Sequence, residues 1–491
     1  MQQATTVYRF GRFEVDSNVR VLTRDDKPIY LPERHFDLLV VFASNRGRLL
    51  SKNELIKKAW GVMVSDSSIE VAISNLRHHL GDQEDGTPHI ETRIRHGYRF
   101  LAPVSCEHRP AAASLDDQLA PYESFIDGSA ALVTMRLDAL PRARDEFLKA
   151  LRIDPDYVPA HIGLANAGML QYESTRTDAM PDRAVLEDAA RHAERACLLD
   201  ALAAEAWSAL SFGADRHGDP RRAGAAVRNA IKLQPRNWHH RLRHATVSWG
   251  EESIDAAEMA LSFCPGLAFA RWFIARVLIA RQAFDAALEQ LRAGCAAQDA
   301  QRTDARGFHA VGLHLLHGLL LAALGRLEEA LEELARERAA ADPLHVYGRE
   351  CCGHTAYGLG AIYLHLGRAE QAERELRNAL KYVPTHGLAA VGLAAVSPSS
   401  RRDLAHLQDP ELARRDPGDG GSNTVECAMV KAAALGLGGK HPEAARVYTG
   451  ALAAAPPGSA GWQMPIDPLI NALAHPDAWA TALAMLHNRA L

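Results

Sequence analysis

Five times in this chain an Ala-rich amphipathic stretch closes on proline: "ARDEFLKALRIDP" at Pro155, "GDPRRAGAAVRNAIKLQP" at Pro235, "LGRLEEALEELARERAAADP" at Pro343, "LGRAEQAERELRNALKYVP" at Pro384 and "GGKHPEAARVYTGALAAAP" at Pro456. Each copy has a Gly or polar turn, then apolar residues at helical spacing, then the proline. The proline ends the helix because it has no N–H to donate and its ring clashes with the preceding turn. A repeated unit of this kind cannot bury its apolar face alone, so neighbouring copies must stack. Small residues let the paired helices approach closely. Most of the chain is therefore expected to be helical and built from neighbour-to-neighbour contacts.

These copies resemble tetratricopeptide (TPR) repeats, helix hairpins that stack into a superhelical solenoid. The spacing is irregular: Pro343 and Pro384 are 41 residues apart, against about 34 for the ideal unit. Residues 397–424, "SPSSRRDLAHLQDPELARRDPGDGGSNT", interrupt the pattern and suggest a loop. The resemblance implies a protein or peptide ligand on the concave face, or dimerisation.

The first 105 residues follow different rules. Residues 7–31 alternate apolar and polar side chains, with breaks at Asp16-Ser17-Asn18 and Asp25-Asp26-Lys27-Pro28, which predicts an antiparallel meander. Pro32-Glu33 opens a helix with Phe36, Leu39, Val40 and Ala43 on one side and Gly47 beyond it. Ser51-x-x-Glu54 is a capping box that starts a second helix, running through Trp60. After a loop at Gly61–Asp66 comes "SSIEVAISNLRHHL", residues 67–80, opened by a second capping box, Ser67-x-x-Glu70, with a helix expected from Ser68. Ile69, Ile73, Leu76 and Leu80 form its apolar stripe. The opposite side carries Val71, Ser74, Asn75 and His78, flanked by Glu70 and Arg77 on one edge and by Ala72 and His79 on the other. "HIETRIRHGYRFLAPV" then alternates again and turns at His96-Gly97, predicting a β-hairpin. Ile90, Thr92 and Ile94 share one face, and Glu91, Arg93 and Arg95 the other.

Leu31-Pro32-Glu33, Phe36, Leu38-Leu39, Gly47-Arg48, Leu49-Leu50-Ser51, Glu54-Leu55, Trp60, Ile69-Glu70-Val71, Ile73-Ser74, Leu76-Arg77, Leu80, Ile90-Glu91-Thr92 and Gly97-Tyr98-Arg99 occur in one order and spacing. This set, over residues 7–104, resembles the winged-helix DNA-binding domain of OmpR-type transcriptional regulators. The resemblance implies that helix 68–80 enters the major groove of double-stranded DNA. Val71, Ser74, Asn75, Arg77 and His78 are then the candidate contacts. Asn75 suits adenine N6/N7 and Val71 a thymine methyl, while Ser74, Arg77 and His78 suit phosphate or mixed contacts. Thr92, Arg93, Arg95 and Arg99 of the hairpin are candidates for phosphate or minor groove, whereas Tyr98 is expected to pack against the sheet. The family often has a basic residue where Asn75 stands, so base choice here is expected to differ. The loop 61–66 lies where OmpR-like proteins can contact RNA polymerase.

A winged helix followed by TPR-like repeats resembles the bacterial invasion-gene (type III secretion) activators. Membrane-anchored acid-stress regulators share the head, but this chain shows no central transmembrane helix. No receiver domain precedes residue 7, so control is expected through the tail, expression level or oligomerisation. The expected fold is an α+β winged helix-turn-helix over 1–105, a linker over 106–125 and an all-α TPR-like solenoid over 126–491. The expected function is sequence-specific transcriptional regulation, with activation implied by the resemblance. The competing reading is a TPR scaffold whose head is structural or binds DNA without specificity.

Charge becomes informative only when divided. Residues 1–105 hold 15 Lys+Arg against 13 Asp+Glu, a net +2, and the remainder carries 40 against 47, a net −7. Four arginines (77, 93, 95, 99) and four histidines (78, 79, 89, 96) crowd into residues 77–99. Seven irregularly spaced cysteines suggest reduced thiols in a cytoplasmic protein rather than a disulfide framework. The N-terminus lacks the apolar core of a signal peptide. "GFHAVGLHLLHGLLLAALG", residues 307–325, has the length of a membrane span, but its three histidines and several glycines suit a buried helix pair better. "ALGLGGKH" (434–441) lacks the first Gly and the final Ser/Thr of a phosphate loop. "CCGH" (351–354) has no second ligand pair to complete a metal site, and "WHHRLRH" (238–244) suits a repeat helix. No constellation suggests a catalytic site, a cofactor or a metal, so an enzyme is not expected.

Overall fold

The structure is a computed structural model that describes residues 5–17, 20–59, 66–83, 85–93, 96–109, 115–301, 309–397 and 422–491. Its contacts divide into two units, residues 1–126 with 149–159 and residues 127–148 with 160–491.

In the first unit the alternating N-terminal sequence forms β1 (Thr5–Phe10), β2 (Phe13–Asp16), β3 (Val21–Arg24) and β4 (Lys27–Ile29). They make the expected antiparallel meander, with Tyr8 opposite Val15, Val15 opposite Leu22 and Leu22 opposite Ile29. The helices follow as α1 (Glu33–Ser44), α2 (Lys52–Ala59) and α3 (Asp66–Leu80). β5 (Leu49–Leu50) joins β7 (Gly97–Phe100), which pairs with β6 (Ile90–Arg93), in a sheet ordered β5-β7-β6. One apolar core unites these pieces: Phe10, Leu22, Phe36, Leu39, Phe42, Leu50, Leu55, Ile69, Ile73, Leu76 and Phe100 are all buried within it.

Three details depart from the sequence expectations. β5 is two residues long, too short to show a period. The expected linker over 106–125 instead holds β8 (Ser105–Arg109) and much of a helix spanning Leu115–Val133. β8 pairs with β1 from Thr5 opposite Arg109 to Arg9 opposite Ser105. "SCEHR" has no apolar alternation, but it satisfies the outer edge of β1, which a hydropathy pattern does not register. Third, α3 starts at Asp66 rather than Ser68, so Ser67 lies inside the helix instead of at its cap. The Ser51 box does form: Ser51 N–H donates to Glu54 Oε2 at 3.0 Å, and Glu54 N–H donates to Ser51 Oγ at 3.3 Å. Trp60, the loop 61–65, Ile94 and Arg95 lie outside the described residues.

The second unit is a succession of helices of 10 to 18 residues. Partners pack pairwise along the chain, as in Pro220–Leu233 against Ala204–Arg216 and Ala369–Tyr382 against Gly348–His365. The contact faces are small: Ala223, Ala226 and Ala230 are buried on one helix, and Ala372 and Ala379 with Leu376 on another. The closing prolines fall two or three residues past the last helical residue, at Leu233, Ala340, Tyr382 and Ala454 in this unit and at Ile153 in the first. This is a TPR-like solenoid. Of the interrupting segment 397–424, residues 398–421 lie outside the described residues, and a helix resumes at Ser422. Among the described residues no helix is long and apolar enough to cross a membrane. "WHHRLRH" lies in helix Trp238–Val247, "CCGH" in helix Gly348–His365, and "ALGLGGKH" spans the turn between helices Ser422–Leu437 and His441–Ala454. Cys106, Cys197, Cys264, Cys295, Cys351 and Cys352 are thiols outside any disulfide.

Candidate nucleic-acid interface

α3 is held along its inner stripe and near both ends. Its apolar stripe, Ile69, Ala72, Ile73, Leu76 and Leu80, sinks into the core at 3% exposure or less. Near its start, Glu70 accepts from Lys52 Nζ of α2 at 3.0 Å. Near its end, Arg77 reaches β6: Nε and Nη2 donate to the Ile90 carbonyl at 3.0 and 2.8 Å, and Nη2 donates to Thr92 Oγ1 at 2.6 Å. Burial pulls the Arg77 guanidinium below its usual value, and Tyr98 pushes it back up. It stays a cation all the same. Arg77 and Thr92 thus form a brace between α3 and the hairpin.

What α3 leaves outward is the face expected from its periodicity. Ser74 and His78 are exposed, and Val71 and Asn75 are partly so. Among the described residues the side chains of Ser74 and Asn75 make no hydrogen bond, so the Asn75 amide keeps both its donor and its acceptor for a ligand. Among the described residues His78 meets the His79 ring, 5.7 Å away and edge-on.

The hairpin registers Glu91 opposite Arg99, Thr92 opposite Tyr98 and Arg93 opposite Gly97. Gly97 has φ +122°, and a Cβ there would sit 2.0 Å from the Leu50 carbonyl oxygen. No other residue allows β7 to lie this close to β5. Glu91 stands between two of the candidate cations, 3.0 Å from Arg93 and 3.8 Å from Arg99. Arg95, the third hairpin arginine, lies outside the described residues. Tyr98 is buried at 6%, as expected. His89 departs from the surface cluster: it is 4% exposed, packed among Phe10, Phe13 and Phe100, with Nδ1 2.9 Å from the Gly81 carbonyl. Its pairing with aromatic rings was invisible in a count of histidines.

The sequence reading missed three contributors. Glu91 pairs with Arg93 and Arg99. Gly97 docks the hairpin as well as turning it. Lys57 and Lys58 add exposed cations on α2. Their signals were present (an acid within an arginine run, a glycine at a turn, a Lys-Lys pair), but each is common without such a role.

The sequence matches the family described as "Transcriptional regulatory protein, C terminal" over residues 26–100. It is 35% identical over 106 residues to the transcriptional activator CadC of Escherichia coli (strain K12), covering 21% of this chain and 20% of CadC. It is 33% identical over 91 residues to the transcriptional regulator HilA of Salmonella typhi, covering 18% of this chain and 16% of HilA. The chain thus spans a fifth or less of the length of these two relatives. Among solved structures, the DNA-binding domain of E. coli CadC is 33% identical over 22% of this chain and all of that one, with a TM-score of 0.20. A tetratricopeptide repeat protein from Parabacteroides merdae is 14% identical over 56% of this chain and 98% of that one, with a TM-score of 0.38. Residues 26–100 therefore form an OmpR-type domain, similar to that of the transcriptional regulators CadC and HilA.

Proposed function

We propose that this protein is a sequence-specific DNA-binding transcriptional regulator and an activator, in keeping with its similarity to the transcriptional activator CadC. The observation that carries the reading is α3: its inner face and both ends are fixed, while Ser74 and Asn75 project with no hydrogen bond of their own among the described residues. In this reading α3 lies in the major groove, with Asn75 and Val71 on base edges and Ser74 and His78 on phosphate or mixed contacts. Arg93, Arg95 and Arg99 meet the flanking backbone or minor groove. Arg77 and Thr92 act chiefly by setting the angle between helix and hairpin.

One module of this size buries too little surface for high specificity, so two chains read half-sites about one helical turn apart. The division of labour is part of the proposal: residues 1–105 read DNA, 106–125 lead out of that domain, and 126–491 bind a protein or peptide, or dimerise. Loop 61–66 is the proposed contact with RNA polymerase. The protein works in the cytoplasm and is not an enzyme. The test is genome-wide selection of DNA fragments by the full-length protein at physiological salt, repeated with Asn75→Ala. One enriched motif, changed at a single position by the substitution, supports the reading. No enrichment above random fragments removes it and leaves the scaffold.

A further inference from the structure

The solenoid buries a set of metal-ligating side chains that the DNA-binding reading does not use. Helices Phe284–Gln301, Leu313–Ala323 and Leu327–Ala340 share a core of Ala287, Leu288, Leu291, Leu313, Leu316, Leu320 and Leu334. Inside it, one helix contributes Cys295, the next His314 and His317, and the third Glu333. Cys295 is 6% exposed and His317 7%. Cys295 Sγ lies 3.9 Å from His317 Nδ1, which lies 3.3 Å from Glu333 Oε2. All three ligand atoms fall within 4.8 Å of one another. Tetrahedral zinc with ordinary bond lengths separates a sulfur from a nitrogen ligand by about 3.5 Å and a nitrogen from an oxygen ligand by about 3.3 Å. The side chains already stand within a few tenths of an ångström of those edges.

Hydrogen bonding alone does not explain the cluster. A sulfur 3.9 Å from a ring nitrogen is at the weak limit of such a contact, and His317 Nε2 is buried with no partner among the described residues. Apolar residues would fill the same space without desolvating a carboxylate and two imidazoles. Beside the three groups stands His314, with Nδ1 2.5 Å from Glu333 Oε2 and Nε2 3.2 Å from Asp299 Oδ1. Carboxylates that ligate a metal are themselves hydrogen-bonded by an outer group, and His314 supplies such a bond to Glu333.

We propose that Cys295, His317 and Glu333 bind a divalent transition-metal ion, zinc by preference, with His314 as the positioning residue that aims Glu333. Thiolate, imidazole and carboxylate together suit zinc or cobalt and discriminate against magnesium and calcium. Binding releases the thiol proton of Cys295 to solvent and takes His317 as the neutral imidazole, Nδ1 on the metal and its N–H on Nε2. The ion ties three consecutive helices together, so it stiffens the repeat in which it sits. The proposal is independent of the DNA-binding reading.

The test uses the full-length protein. Cobalt(II) is titrated in and followed by its thiolate-to-metal charge-transfer absorption, and zinc affinity is measured by competition with a chromophoric chelator. One cobalt per chain with a thiolate band is expected in the unaltered protein. Cys295→Ser removes the band, whereas Cys197→Ser, on a different helix, leaves it. Glu333→Gln weakens zinc at least as much as His314→Ala, for which a loss of about 10- to 100-fold is expected. Circular dichroism checks that each variant keeps its helices. Absence of a thiolate band in the unaltered protein, or its survival in Cys295→Ser, overturns the proposal without any need for the other variants.

Discussion

Two helices of this chain carry histidines and polar residues at helical spacing and put them to opposite uses. α3 turns Ser74 and His78 to solvent and leaves the Asn75 amide without a partner among the described residues, while its apolar stripe fills the core. Helix Leu313–Ala323 does the reverse: His314 is 1% exposed and His317 7%, and both reach Glu333 on the next helix. The residue types alone do not distinguish the two. What differs is how many neighbours cover the helix. α3 is packed on one side of a small domain, so a polar face is left over. The solenoid helix is sandwiched between others, so its polar groups must find partners within the core. An unpartnered polar group at the surface is available to a ligand, whereas in a core it must be hydrogen-bonded or ligated.

The largest effect that separates the two regions comes from Gly97→Ala. A methyl group cannot fit 2.0 Å from the Leu50 carbonyl oxygen at that φ, so the hairpin must leave β5. DNA binding should be lost, while the solenoid keeps its helices. Hydrogen exchange resolved by region measures both, and a protected hairpin in the variant would contradict the argument. Acid should act the other way round. Burial and then His161 hold His192 down to about 4, burial holds His345 down to about 4, and burial and then His239 hold His240 down to about 3. In the N-terminal unit, only His35 is similarly lowered among the described residues, to about 4, by burial and then His79. A histidine whose folded-state value is depressed leaves stability intact above about 6.5 and removes it as pH falls towards 4. Glu350 continues the loss below about 4.5: burial raises its carboxyl, but Arg176 and His354 outweigh burial and hold it at about 2. His314 has the opposite sign, since Glu333 and Asp299 overcome burial and raise it, so its contribution is kept at low pH. Thermal melts between pH 7 and 4 should therefore show the solenoid weakening first; an N-terminal unit that melts first would reverse the comparison.

Asn75→Ala should cost about 1–3 kcal/mol on the specific site and relax base choice at one position. Equal losses on specific and random DNA would remove Asn75 as a base reader. Arg93→Ala should instead weaken all sequences evenly and reduce the salt slope by about 1. Glu91→Gln is expected to have the smallest effect and the opposite direction. It releases Arg93 and Arg99 from their 3.0 and 3.8 Å contacts, so random DNA should bind a few-fold tighter with a steeper salt dependence. Filter binding across a salt series decides it.

Local chemistry was legible where a residue's role depends on its sequence neighbours. The capping box at Ser51, the stripe Ile69, Ile73, Leu76 and Leu80, the turn before Tyr98 and the helix-closing prolines all act over four residues or fewer, which is the reach of a helical turn or a pleat. By itself the sequence therefore determined α1, α2, the body of α3, the proline-closed helices, the N-terminal meander, the hairpin and the outward face of α3, but not the helix Leu115–Val133. Tertiary structure decided what lies further apart. It set β8 on the edge of β1, buried His89 among aromatic rings, braced Arg77 to Ile90 and Thr92, and placed Glu91 between Arg93 and Arg99. It also gathered Cys295, His317 and Glu333 from three helices. Their spacing in the chain follows no ligand motif, because helices that stack side by side bring together residues whose separation is set by helix and loop lengths rather than by any local period.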